Sequence, residues 1–259
     1  MAGKILVIGS INLDSTVVLD RVPNKGETLL ANSIGEFPGG KGANQALAVA
    51  KLGGEVMFAG KTGPDQAGTT LTENLKANGV DTDCLTISQS SDTGRALIFV
   101  EADGDNRIVV LSGANAEVGP GDVDRCFDGD AEYSALLMQL EIPLPTVAYA
   151  IKAAQSRNIP VVIDAGPAVT KDLDLFHGVD ILSPNQHEME ELIGLPAGTV
   201  EEGLVAARAL REKTAAKNIV LKMGDLGALV LNEIGHKFVP SFSVKAVDTT
   251  AAGDAFTAA

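Results

Sequence analysis

Asp248-Thr249-Thr250-Ala251-Ala252-Gly253-Asp254 sets a carboxylate just beyond a run of small residues. The stretch follows an apolar, strand-like run from Phe242 to Val247 and leads into Ala255-Phe256-Thr257-Ala258-Ala259, which reads as the beginning of a helix. A strand, small residues and a helix start leave backbone N–H groups unpaired and pointing one way, which attracts anions and phosphate above all. A carboxylate beside such a cradle would be repelled by its guest unless it takes part in the chemistry. Asp254 is therefore the candidate base, and the backbone of Ala252, Gly253 and Asp254 the candidate anion hole. The reaction that fits is phosphoryl transfer to a hydroxyl. The plainer alternative is a small-residue turn whose aspartate is favoured by the helix dipole.

The rest of the chain supplies elements that could position this group. Lys4 to Gly9 is a short apolar strand, with Asn12 and Asp14 immediately beyond it, the sheet edge where ligands bind in open α/β folds. Residues 14–38 carry no helical period and read as short strands, Thr28 to Ala31 among them. Gly39-Gly40-Lys41-Gly42-Ala43-Asn44-Gln45 opens a helix that runs to Leu52. Gly35 to Lys41 matches G-x-x-x-x-G-K, but Gly42 stands where a P-loop needs a hydroxyl for magnesium, so that reading is rejected. Either the glycines let backbone N–H groups approach a polyol, with Lys41 and Asn44 on its hydroxyls, or this is only a glycine-rich helix start.

Thr93 to Ser112 reads as a hairpin turning at Asp103-Gly104, grouped with residues 12–38 as a small β layer. From residue 117 strands and helices alternate, which implies a mainly parallel sheet covered by helices. Glu141, Asp164, Asn185 and Gly224 all fall just past strand ends. Asn185 and Glu188 read equally as a capping box or as oxygens for a hydrated Mg²⁺.

The formal charge of −14 without a Lys/Arg cluster argues against nucleic acid or an anionic membrane as partner. Cys84 and Cys126 fit no metal or redox spacing and read as buried free thiols of a reducing compartment. The apolar run Ile5 to Ile8 is too short for a signal peptide or a membrane span, so the expected location is cytoplasmic.

Gly9-Ser10-Ile11-Asn12-Leu13-Asp14, Phe37-Pro38-Gly39-Gly40-Lys41-Gly42-Ala43-Asn44-Gln45, Leu136 to Glu141, Ser183-Pro184-Asn185-Gln186-His187-Glu188 and Asp248 to Asp254 together resemble the PfkB carbohydrate kinases, closest to their ribokinase branch. The resemblance spans essentially the whole chain. It implies a single ribokinase-like α/β domain over residues 1–259, with a β-sheet lid from about 12–38 and 93–112 that pairs with a second lid in a homodimer. It implies phosphorylation of ribose at its 5-hydroxyl by ATP, with Mg²⁺ required and K⁺ or a similar cation activating. Asn12, Asp14, Gly40, Lys41, Asn44 and Glu141 would hold the sugar, and Ala96 and Ile98 would cover its apolar face. Asn185 and Glu188 would serve the Mg–phosphate end, Lys222 and Gly224 the nucleotide, and Asp248 and Thr250 the monovalent cation. Three departures accompany it: Ala251 where many relatives have Gly, Lys222 where a hydroxyl residue is common, and an end reached some tens of residues early, which implies a missing C-terminal part. The alternatives are a kinase of the same family for a nucleoside, fructose or deoxyribose, and a non-catalytic sugar-binding protein.

Overall fold

The structure is a computed structural model that describes residues 3–103, 105–128, 132–246 and 248–259. Apolar runs ended by glycine or a polar residue become the strands of a large sheet. In chain order these are β1 (Lys4–Ile8), then, after the lid strands β2 (Asn12–Val18) and β3 (Ser33–Gly39), β4 (Val56–Thr62) and β5 (Leu85–Ile87). The lid strands β6 (Gly94–Val100) and β7 (Asn106–Leu111) follow, and the large sheet resumes with β8 (Tyr133–Met138), β9 (Val161–Asp164), β10 (Ile181–Ser183), β11 (Asn218–Lys222), β12 (Gly227–Leu231) and β13 (His236–Pro240).

Among the described residues the large sheet runs β13-β12-β11-β10-β9-β8-β1-β4-β5. The pairs from β11 through β5 are parallel, and β12 and β13 close one side as an antiparallel hairpin. All the parallel strands therefore end on the same edge. The chain leaves β1 toward β4 on one side and returns to β8 on the other, so the switch point of the sheet lies at the ends of β1 and β8, where such folds bind ligands.

Helices α1 (Lys41–Lys51), α2 (Gln66–Ala77) and α7 (Ala252–Ala258) lie on one face. On the other face are α3 (Pro120–Phe127), α4 (Leu144–Gln155), α5 (Gln186–Ile193) and α6 (Val200–Thr214). Side chains alternate along each strand between the two cores. Leu6, Ile8, Leu136 and Met138 go to the α3–α6 side and Val7, Phe58 and Leu137 to the α1–α2 side. Each such residue, fully buried, contributes roughly 1.5–3 kcal/mol.

The second sheet is four-stranded, in the order β3-β2-β6-β7. Its register puts Asn12 beside Gly94, Asp14 beside Ala96 and Thr16 beside Ile98, so these residues share one face. Because β2 begins only a few residues after β1, the lid grows directly out of the switch point. At the same place α1 presses on the end of β1. A Cβ on Gly42 would come within 2.7 Å of the Gly9 carbonyl carbon, so only glycine allows that approach.

Some elements differ from the sequence reading. Residues 242–246 form no strand, although their apolar alternation suggests one. They run exposed past the outer strand β13, with Phe242 90% accessible, and Val247 lies outside the described residues. Thr28 to Ala31 is likewise irregular, and the lid strand begins at Ser33. Helix α3 and the β12–β13 hairpin were not anticipated. Ala228-Leu229-Val230-Leu231 before Asn232-Glu233-Ile234-Gly235 was the available signal for the hairpin, with Gly235 taking φ 158°.

Candidate active site

Asp254 stands in the first turn of α7 and is buried. Its Oδ2 accepts from Asn44 Nδ2 at 3.0 Å and its Oδ1 from Gln45 Nε2 at 3.1 Å. Consecutive residues of α1 therefore hold both oxygens. Behind them Gln45 also donates to Asp164 Oδ2 at 3.0 Å, and Gln139 Nε2 donates to Gln45 Oε1 at 2.6 Å. Lys222 closes the group, with Nζ 2.8 Å from Asp164 Oδ1, and Thr257 Oγ1 donates to Asp164 Oδ2 at 3.2 Å.

Gly40 caps α1 with φ 87°, a conformation open to glycine, and brings the chain from the lid into the helix. Lys41 follows at the first helical position. Its N–H donates to Glu141 Oε2 at 3.2 Å, and the same oxygen accepts from Ser10 Oγ at 2.6 Å. Burial pulls the Lys41 ammonium down, but Asp254, Asp164, Glu141 and Glu188 around it outweigh that and hold it above its usual value. It stays charged at neutral pH.

At the foot of the lid, Asn12 is buried and its Oδ1 accepts from Asn115 at 2.8 Å. Asp14 is raised to about 6 by burial and by the neighbouring Glu141, and its Oδ1 is buried without a hydrogen-bond partner. A buried carboxylate oxygen left open in this way is a place for a hydroxyl donor. Ala96 and Ile98 lie on the same lid face, across from Asp14 and Thr16.

A cleft of about 600 Å³ extends from Lys41 past Asp164, Asn185, Glu188, Lys222, Gly224, Ala252 and Gly253. Asn185 and Glu188 form the capping box anticipated as one of their two readings. Glu188 N–H donates to Asn185 Oδ1 at 2.8 Å, and Asn185 N–H donates to Glu188 Oε2 at 2.7 Å. Burial raises the Glu188 carboxyl, against the pull of the Asn185 N–H and of Lys222. Gly224 bends at φ 56° along the wall. Asp248 and Thr250 are not part of this gathering. Both are exposed, and Thr250 N–H donates to Asp248 Oδ1 at 2.8 Å.

Ala251 adopts φ 58°, a left-handed conformation costly for alanine, just before α7. The residues that sequence reasoning left without a role are Gln45, Gln139, Asp164 and Ser10. Gln45 and Gln139 are wholly buried amides, and such a group inside an apolar pattern was the signal. Cys84 and Cys126 are buried free thiols. Among the described residues no helix is long and apolar enough to cross a membrane.

A buried carboxylate following the Ala252–Gly253 wall of a cleft with two lysines, at the switch point of a parallel sheet that also carries a β lid, is the layout of a sugar phosphotransferase. The chain belongs to the pfkB family of carbohydrate kinases, whose family model matches residues 2–259. It is 38% identical to the ribokinase of Bacillus subtilis, over 99% of this chain and 84% of the relative. It is 37% identical to the deoxyribokinase of Salmonella typhimurium, over 97% and 82%. Arabidopsis thaliana ribokinase, solved with ribose and ATP, superposes with a TM-score of 0.89 at 31% identity, over 100% of this chain and 84% of that one.

Proposed function

We propose that the protein transfers the γ-phosphoryl group of ATP to the 5-hydroxyl of ribose, giving ribose 5-phosphate and ADP. The observation that carries this is the Asp254 carboxylate, buried next to the cleft-lining Ala252 and Gly253 and held at both oxygens by Asn44 and Gln45. A base so held needs no reorganisation as it takes the hydroxyl proton. The sugar lies between the lid and the switch point, with Asp14, Asn12 and Glu141 accepting from its hydroxyls and Lys41, Asn44 and the Gly40 backbone beside them. Ala96 and Ile98 cover it from the lid and exclude water.

The nucleotide occupies the cleft along Gly224, with its phosphates between Asn185, Lys222 and the Ala252–Gly253 backbone. Lys41 and Lys222 bring positive charge to the oxygens that gain negative charge in the transfer. Mg²⁺ would neutralise the transferring phosphates. Glu188 fits it as a single protein ligand, since it lines the cleft and only its Oε2 is taken up in capping α5, an arrangement suited to an ion that keeps most of its waters. Asp248 and Thr250, exposed and joined by the Thr250 N–H to Asp248 Oδ1 bond, would offer their oxygens to an activating K⁺ from outside the cleft.

The homodimer belongs to the same proposal. Ile108 and Val110 lie on the lid face of Asp14 and are more than half exposed, an apolar strip that a second lid would cover. The working compartment is the cytoplasm, consistent with two unpaired thiols. A second reading, 2-deoxyribose as acceptor, is favoured by the deoxyribokinase relative. ADP release measured over a panel of ribose, 2-deoxyribose, fructose and nucleosides separates the two, and an absence of turnover with every pentose sinks both. Asp254→Asn is expected to cut kcat by about 10²–10⁴ with ribose binding retained.

A further inference from the structure

We infer that Gln45 is the positioning residue for the catalytic carboxylate, set in its orientation by Gln139. The inference rests on the reading of Asp254 as the base. Gln45 is wholly buried, so it is not placed to touch either substrate. Its amide has three bonds and no choice of orientation. The two N–H groups go to Asp254 Oδ1 and Asp164 Oδ2, and Oε1 accepts from Gln139. The flipped amide would turn its oxygen toward two carboxylates and its NH₂ toward another NH₂.

The arrangement ties the base to a fixed structure. Asp164 is held by the Lys222 ammonium and by Thr257, so its oxygen cannot follow Gln45. Gln139 lies at the switch point, next to Gly9, where any larger side chain would collide with its Oε1. Gln45 therefore sits between Asp164 at the end of β9 and Gln139 just past β8, the latter held by packing against Gly9, and imposes their geometry on a side chain of α7. Lys41 from α1 faces Asp254 together with Asp164, Glu141 and Glu188, and Lys222 from β11 is paired with Asp164. Asn44, only half-buried, holds the other oxygen.

Gln45→Met keeps the volume and removes the amide. Removing one charge-assisted hydrogen bond to the base is expected to lower kcat about ten- to a hundredfold, with KM for ribose and ATP changed less than about twofold. Gln139→Met is expected to lower kcat severalfold, and to add less than about twofold in the Gln45→Met background, because it acts through the same amide. A purely structural role would lower the melting temperature and leave the kcat of the folded enzyme unchanged, and that result would overturn the inference. So would losses that multiply in the double variant. Should Gln45→Met not fold, Gln139→Met alone decides by the same split between kcat and KM. Asp254→Asn run in parallel keeps the two readings apart. If it retains more than half of the turnover, the assignment of the base is wrong; if it is inactive while Gln45→Met is normal, only the role of Gln45 is wrong.

Discussion

Lys222 and Asp164 form an ion pair at 2.8 Å, with the lysine side chain 12% and the aspartate 1% exposed. Lysine at this position is the departure from the family pattern that the sequence made visible, and the aspartate on the neighbouring β9 is its partner. Two charges taken out of water stabilise little as a pair, but either one alone is costly. Lys222→Met should therefore destabilise the fold by about 3–5 kcal/mol, and adding Asp164→Asn should restore part of the loss. Urea unfolding of the parent, Lys222→Met, Asp164→Asn and the double variant checks this. A single variant within about 0.5 kcal/mol of the parent contradicts the buried-pair account.

Asp14 gives a prediction in pH. Burial and Glu141 raise its carboxyl to about 6, against 3.8 for the free side chain. Between those values the folded protein binds the proton more tightly than the unfolded chain does. This group therefore lowers stability as pH rises from about 4 to about 6, and adds no further slope above that. Ribose binding runs the other way, because the ionised carboxylate is the stronger acceptor. Calorimetric affinity for ribose should fall roughly tenfold between pH 7 and pH 5, and the dependence should disappear in Asp14→Asn. A flat profile in the parent would remove Asp14 from the sugar site.

For Glu188 the capping role is visible and the metal role is proposed, and one substitution divides them. Glu188→Gln retains an oxygen for the Asn185 N–H, so the melting temperature should hardly move. The Mg²⁺ concentration for half-maximal rate should rise several-fold if the carboxylate serves the ion. Unchanged Mg²⁺ dependence leaves Glu188 as a cap and nothing more.

Ala251 carries a backbone cost at φ 58° that glycine would not. Ala251→Gly should raise stability by about 0.5–1 kcal/mol, the strain relieved being larger than the added freedom of the unfolded chain. Ala251→Val should lower it by more, since a β-branched side chain tolerates this region least. Thermal unfolding of the three proteins tests the order Gly above Ala above Val.

Much of this was legible in the residues. The strand ends carrying Asn12, Glu141, Asn185 and Gly224 announce a ligand edge because parallel strands must all finish on one side. Asp254 stands out as a carboxylate at a helix start beside small residues, a pattern that the helix dipole alone could also produce. The bonds among Gln45, Gln139 and Asp164 were not legible. They join α1, β8 and β9, and no local pattern records which buried polar groups face one another across a sheet. The run from Phe242 misled for a related reason. Alternation specifies a strand only where a neighbouring edge is free to pair with it.

Asp254 is separated by 209 and 210 residues from the two amides that hold it. A ribosome adding about 5–20 residues per second supplies Gln45 roughly ten to forty seconds before the carboxylate it is to hold. Through that interval both amides are on hand while their acceptor is still to be made. The amides that receive the carboxylate are thus laid down far earlier in the chain than the carboxylate itself, which completes the arrangement rather than starting it.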